Sequence, residues 1–266
     1  YSGAAFYSDG LGTINMYGGL IKDNVSQSDG AAIKVSYGCV FNMFGGQISN
    51  NTTSDNGTIN VSYGSVFNMF GGEISGNSAE YGGAIYNVLS STNIKGGLFK
   101  GNKAYCGGAI YNYAYWLTED EEQVYCPSTV DIDGSSVEIS SNEAYSENGQ
   151  DSGGAIFNLY GSISIKDALI KNNKASWGAG IYCYGWFFSD NRTYFGTINI
   201  YGNTQIIYNK ASSGGGGLYV RGNQIKMYSG SIDHNFARYG AGIATWYGYD
   251  YCPSEFNFIG GSIDYN

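Results

Sequence analysis

Six residues, GGAIYN, stand at 82–87 and again at 107–112. Looser copies run through the chain: GAAFYS at 3–8, GAAIKV at 30–35, GTINVS at 57–62, GGAIFN at 153–158, GAGIYC at 178–183, GGGLYV at 215–220 and GAGIAT at 240–245. Each is followed by a second phrase that closes on asparagine, as in FNMFGGQISNN ending at Asn51 and FNMFGGEISGN ending at Asn77. The closing residues are Asn24, Asn51, Asn77, Asn102, Asn142, Asn173, Asn209, Asn235 and Asn266, which divides the chain into nine units. The steps between them are 27, 26, 25, 40, 31, 36, 26 and 31 residues, so the bare unit is near 25 and longer units carry insertions. A fixed period in this range belongs to repeat architectures, in which each unit buries its apolar side only against its neighbours.

The local pattern selects among repeat folds. Apolar residues alternate over three to five positions, as in INM, FNM, ISI and INI, and then meet Gly, Asn or Ser. That is the period of strands, not of helices. With 42 Gly, 26 Tyr, 13 Phe and only 2 Pro, the composition suits strands and tight turns. The reading is all-β: a right-handed single-stranded parallel β-helix of nine coils spanning 1–266 as one domain. At roughly 4.8 Å per coil the rod is about 40 Å long. The hand follows the usual sense of parallel crossovers. Three columns are expected to point inward and stack coil on coil. The first is Ile21, Ile48, Ile74, Phe99, Ile139, Ile170, Ile206, Ile232 and Ile263. The second is Met16, Met43, Met69, Ile94, Ile132, Ile165, Ile200, Met227 and Phe258, and the third runs from Phe6 through Ile33, Ile59, Ile85, Ile110, Ile156, Ile181 and Leu218 to Ile243.

Two polar features have a mechanical account. The closing Asn is expected to take the left-handed backbone of a sharp corner, and its stacked amides to hydrogen-bond from coil to coil. The Gly pairs before the last strand (Gly45–Gly46, Gly71–Gly72, Gly96–Gly97, Gly260–Gly261) suit a corner with positive φ or a close approach between coils.

A formal charge of −9, from 22 acidic and 13 basic residues with no two basic residues adjacent, argues against nucleic acid or an anionic membrane as partner. No apolar run approaches the roughly 18 residues of a membrane span. The five cysteines, Cys39, Cys106, Cys126, Cys183 and Cys252, lack metal-ligand spacing. Cys126 and Cys252 share the context YCPS inside insertions, which leaves open a disulfide between loops or simple burial of small thiols. The run Glu119-Asp120-Glu121-Glu122 has no calcium-loop pattern around it. No cofactor and no metal are expected. N-x-S/T sequons occur at Asn24, Asn50, Asn51, Asn56, Asn60 and Asn191, two of them on the expected corner ladder. Neither end carries a recognisable polar cap, so the chain is expected to continue into further coils or to associate end to end.

The insertions point to a site. Residues 113–128, 183–195 and 244–255 all follow the GGAI phrase, in units five, seven and nine. Stacking would bring them to one edge of the rod, and insertions on one face of a solenoid are often its binding face. They hold three of the four Trp. Tyr115, Trp116, Trp186, Phe187, Trp246 and Tyr247 are the candidate binding residues, with exposed aromatics fitting sugar faces or a protein partner. The competing reading has the same aromatics folded back onto the rod. A further insertion, 143–152, follows a closing Asn.

Catalysis has few candidates. The only His, His234, occupies a corner position that elsewhere holds Asp23, Asn50, Gly76, Gly101, Ser141, Asn172, Tyr208 and Tyr265. Asp233 and Asp264 should lie in adjacent coils, near the carboxylate spacing of retaining glycosidases. Their column otherwise reads Lys22, Ser49, Ser75, Lys100, Ser140, Lys171 and Ile207, an ordinary solvated position. No catalytic residue is assigned.

GGAI at 82–85, 107–110 and 153–156, with FKGN at 99–102 as an intact FxxN, resembles the repeats of the polymorphic outer-membrane-protein family and related adhesin-like surface proteins. Elsewhere Ile replaces the Phe, as in ISNN, ISGN, IKNN, IDHN and IDYN. The resemblance implies an exported, cell-surface, right-handed β-helix used in adhesion to a host glycan or protein surface, with no catalytic residues to carry over. A polysaccharide lyase or hydrolase is the alternative that the β-helix class brings with it.

Overall fold

In the computed structural model, which describes residues 5–119, 122–187, 193–194, 196–246 and 254–266, the chain winds into a right-handed parallel β-helix. Three nine-stranded sheets form its sides, each taking one strand from every coil in chain order. The first, called here the GGAI sheet, runs from Phe6–Asp9 to Ile243–Trp246. The second runs from Thr13–Met16 to Glu255–Phe258 and the third from Leu20–Lys22 to Ser262–Asp264. Among the described residues there is no helix, and so none long and apolar enough to cross a membrane.

All three inward columns stack as read from the sequence. Ile48 pairs with Ile21 and Ile74, and Phe99 with Ile74 and Ile139. Met43 pairs with Met16 and Met69, and Ile110 with Ile85 and Ile156. Each side chain therefore meets its own equivalent above and below, and one continuous apolar core runs from Met16 to Ile232. The second sheet adds a further inward column two residues upstream, where the Phe41 and Phe67 rings stack at 5.0 Å. In the GGAI sheet the inward column reads Val35 and Val61, then Asn87, Asn112 and Asn158, then Cys183. These three Asn are fully buried, and they bond amide to amide at 2.8 and 2.7 Å before Asn158 reaches the Cys183 sulfur. A fourth, partial ladder follows the closing Asn, with Lys103–Ala104, Glu143–Ala144, Lys174–Trp177 and Lys210–Gly214 in one sheet.

The closing asparagines form an unbroken amide ladder from Asn24 to Asn266. Asn142 shows the unit. Its Nδ2 donates to Asn173 Oδ1 at 3.0 Å and to the Phe99 carbonyl at 3.1 Å, and its Oδ1 accepts from the backbone N–H and the Nδ2 of Asn102, both at 3.0 Å. An amide offers two donors and an acceptor with two lone pairs, so the side chain is fully satisfied.

The left-handed corner, however, is not at these asparagines. It falls on the preceding residue, with φ of 57° at Asp23, 55° at Asn50, 56° at Ser141, Asn172 and Tyr208, 51° at His234 and 48° at Tyr265, and with Gly76 and Gly101 completing the set. The closing Asn is retained for its amide, not for its backbone, and the corner position tolerates many residue types because its side chain faces outward.

Two glycines show why the phrases resist substitution. Gly72 has φ of 97°, and a Cβ there would lie 2.7 Å from the Gly46 carbonyl of the previous coil. Both expected roles of the Gly pair thus apply at once. In GGAI at 107–110, Gly107 takes φ of 67°, while a Cβ on Gly108 would strike the Gly154 carbonyl oxygen of the next coil.

Candidate functional site

Two of the insertions form β-hairpins at one corner. Tyr115–Glu119 pairs antiparallel with Glu122–Cys126, and Trp186–Phe187 with Thr193–Tyr194. Both lie between a GGAI-sheet strand and the following second-sheet strand. The third insertion leaves after Trp246 and returns at Glu255–Phe258. Tyr113, Leu159, Tyr184, Arg221 and Trp246 occupy one column of the GGAI sheet. The three departures at Tyr113, Tyr184 and Trp246 are therefore in line along the rod, two coils or about 10 Å apart.

The candidate aromatics divide in what they do. Tyr115 is half-buried, with its ring 5.2 Å from that of Tyr113. Burial, followed by a hydrogen bond with Tyr63, pushes its hydroxyl up to about 12. Tyr125, facing Trp116 across the hairpin, donates its hydroxyl to the Tyr160 carbonyl at 2.8 Å. These two tyrosines seat the first hairpin on the rod, as the folded-back reading requires. Trp246 is 48% exposed. Trp116, Trp186 and Phe187 have backbones in the hairpin strands; their side chains, and Tyr247 with Cys252, lie outside the described residues.

The outer face of the GGAI sheet carries a feature that the sequence reading passed over. The residue after the inward Ile or Leu is Tyr86, Tyr111, Phe157, Tyr182 and Tyr219 in five successive coils. Their rings stack nearly parallel at 5.4, 5.0, 5.0 and 5.1 Å. Tyr81, Tyr105, Trp177, Tyr113 and Tyr184 flank the stack on its two sides. The signal was present as the fifth letter of GGAIYN, but alternation alone marks that position as outward. Burial raises the Tyr86, Tyr111 and Tyr182 hydroxyls well above their ordinary value, so these stacked rings carry no charge of their own.

Asp233 and Asp264 are register partners in adjacent coils, as expected. His234 Nδ1 lies 2.7 Å from Asp233 Oδ1, and its ring sits between those of Tyr208 and Tyr265 at 5.0 and 5.3 Å. This is the outward column of corner residues. Among the described residues no group of three His, Cys, Asp or Glu is placed to hold a metal ion. Cys39, Cys106 and Cys183 are buried thiols without a disulfide.

No curated protein and no solved structure matches the chain. Residues 96–113 match the Chlamydia polymorphic membrane protein repeat. That segment, GGLFKGNKAYCGGAIYNY, covers one passage from the third sheet to the GGAI sheet. Phe99 fills the core, Asn102 joins the amide ladder, Gly107 and Gly108 make the turn and the close approach, and Ile110 starts the next inward column. The matched residues are those the coil needs in order to close and stack, and through this repeat the chain resembles the polymorphic membrane protein family.

Proposed function

We propose that the chain is the extracellular, β-helical part of an adhesin-like cell-surface protein, and that its hairpin-bearing corner is the surface that meets a host glycan or protein. The observation that carries this reading is the alignment of Tyr113, Tyr184 and Trp246 in one column, which sets three insertions of unlike sequence along a single edge. A rod whose core and ladders repeat in every coil has no structural need for insertions in alternate coils. Loops on a rigid scaffold are where binding residues concentrate. The match to a membrane-protein repeat supports the surface location, and the rod itself acts as a stiff spacer or fibre element.

The test is to replace Tyr115–Cys126, residues 186–194 and residues 247–253 with short Gly-Ser links, singly and together, and to measure adhesion of coated beads to host cells. Loss of adhesion with the melting transition retained supports the edge. Adhesion unchanged by the triple replacement removes it.

A further inference from the structure

We infer that the outer face of the GGAI sheet in coils six to nine is a groove for an acidic sugar chain. This deepens the adhesion reading and rests on it. A cavity of about 370 Å³ lies along the rod there, within the ordinary range for ligand sites. Its floor is the stacked pair Tyr182 and Tyr219. One wall is Trp177, edge-on to Tyr219 at 5.1 Å and 71°. Gln150 and Ser152 line the coil-six end, Arg221 and Trp246 the far end. From Ser152 to Trp246 the groove crosses three coil rises, about 14 Å, the reach of a short oligosaccharide and not of a single small molecule.

One glycine builds the wall. Ser152, Trp177, Gly214 and Tyr239 are successive bridge partners in one column. A Cβ on Gly214 would lie 3.1 and 3.2 Å from the Trp177 ring and 3.3 Å from the Tyr219 ring. Gly214 has no positive φ, so its backbone does not demand glycine; the indole laid over it does.

The charge selects the ligand. Among the described residues, Arg221 is the one charged member of the lining. Its guanidinium sits 4.9 Å over the Tyr184 ring, and its field opposes the burial that raises Tyr182 and Tyr219. Among the described residues no carboxylate pairs with it. A guanidinium over an aromatic ring still has N–H donors for a carboxylate or sulfate. Indole and phenol groups pack on the apolar side of a pyranose, and Gln, Ser and Tyr hydroxyls suit its OH groups. An extended acidic peptide fits less well, because the strands beneath are paired on both sides and offer no edge to extend.

The experiment uses the 266-residue chain and calorimetry, with tryptophan fluorescence alongside. The probes are tetragalacturonate, its methyl ester, a heparin tetrasaccharide and hexaglutamate. At least one acidic sugar should bind about tenfold or more tightly than the ester and the peptide, and which of the two does so separates uronate from sulfate recognition. Arg221→Gln should abolish that preference, a factor of about ten for one charge-assisted contact, and Arg221→Lys should restore part of it. Gly214→Leu, which displaces the Trp177 wall, should weaken acid and ester alike. Far-UV circular dichroism melting of each variant checks that the rod is intact. Equal affinity for acid and ester, an effect of Arg221→Gln below twofold, or hexaglutamate binding as well as the sugars overturns the groove. If these results overturn it while trimming Tyr115–Cys126 still abolishes cell adhesion, the edge stands without the groove. The reverse pattern leaves the groove without the edge.

Discussion

The amide ladder makes a quantitative prediction about burial. Asn142 and Asn68 are both members of stacked Asn ladders, one closing the coil and one on the outside of the second sheet. Asn142 is 0% exposed and takes part in four side-chain hydrogen bonds. Asn68 is half-buried, donates to Asn42 at 2.8 Å and accepts from Asn93 at 2.9 Å. Replacing Asn142 with Ala removes four bonds at roughly 1 kcal/mol each and strands the buried Asn102 N–H that Oδ1 accepted, so the cost is about 4 kcal/mol. At about 2–4 °C per kcal/mol for a chain of this size, melting should fall by roughly 8–16 °C. At Asn68 water replaces the lost partners, and Ala should cost under about 1 kcal/mol. Urea titrations and thermal melts of the two variants, followed by circular dichroism at 218 nm, the ordinary strand band, give the comparison. Equal losses would refute the claim that enclosure, not stacking as such, gives the closing Asn its weight.

Three further outcomes are expected. Ile74→Asp sets an unpaired charge in the core column and should cost about 4 kcal/mol or more, while Ser75→Asp, one residue on and outward, should be nearly neutral; similar melting temperatures would contradict the register. Gly108→Ala forces a Cβ onto the neighbouring coil's backbone and should cost about 3 kcal/mol, whereas Gly101→Ala, with φ of 66° and open space around it, should cost only about 1 kcal/mol; the two urea midpoints check the order. Burial pushes the Cys106 and Cys183 thiols from 9.0 up to about 12, so the stability they contribute is complete below pH 9 and is lost as pH rises toward 12. The urea midpoint should therefore drop above pH 9, less steeply in the Cys106→Ala, Cys183→Ala double variant, and an unchanged slope would show that buried tyrosines alone account for it.

How far the sequence could be read depends on whether a position repeats. The first inward column was legible at every coil because Ile or Phe stands three residues before each closing Asn; the other two were legible from the recurring phrases around them, and a solenoid admits only one register for such columns. The corner was legible in place but not in assignment. Asn suits both a left-handed backbone and an amide ladder, and the sequence does not say which property holds it there. The structure gives the backbone role to the variable residue before it, from Asp23 to Tyr265. The hairpin edge was legible as insertions at a common point in the unit, and its alignment followed from stacking alone.

The outer face was not legible. Alternation places Tyr86, Tyr111, Tyr182 and Tyr219 outward, and an outward Tyr reads as solvated. In the fold, Tyr111, Tyr182 and Tyr219 are nearly buried, because Tyr81, Trp177 and the hairpin-flanking Tyr113 and Tyr184 close over the sheet from two sides. The sequence by itself determined the coil, its rise, its three inward columns and the corner from which the insertions leave, since these depend on spacings that every unit shares. Only the tertiary structure decided which outward residues are covered, where Gly214 lets Trp177 lie down, and that Arg221 faces a groove. Those contacts join residues whose separation along the chain differs from coil to coil, so no period records them.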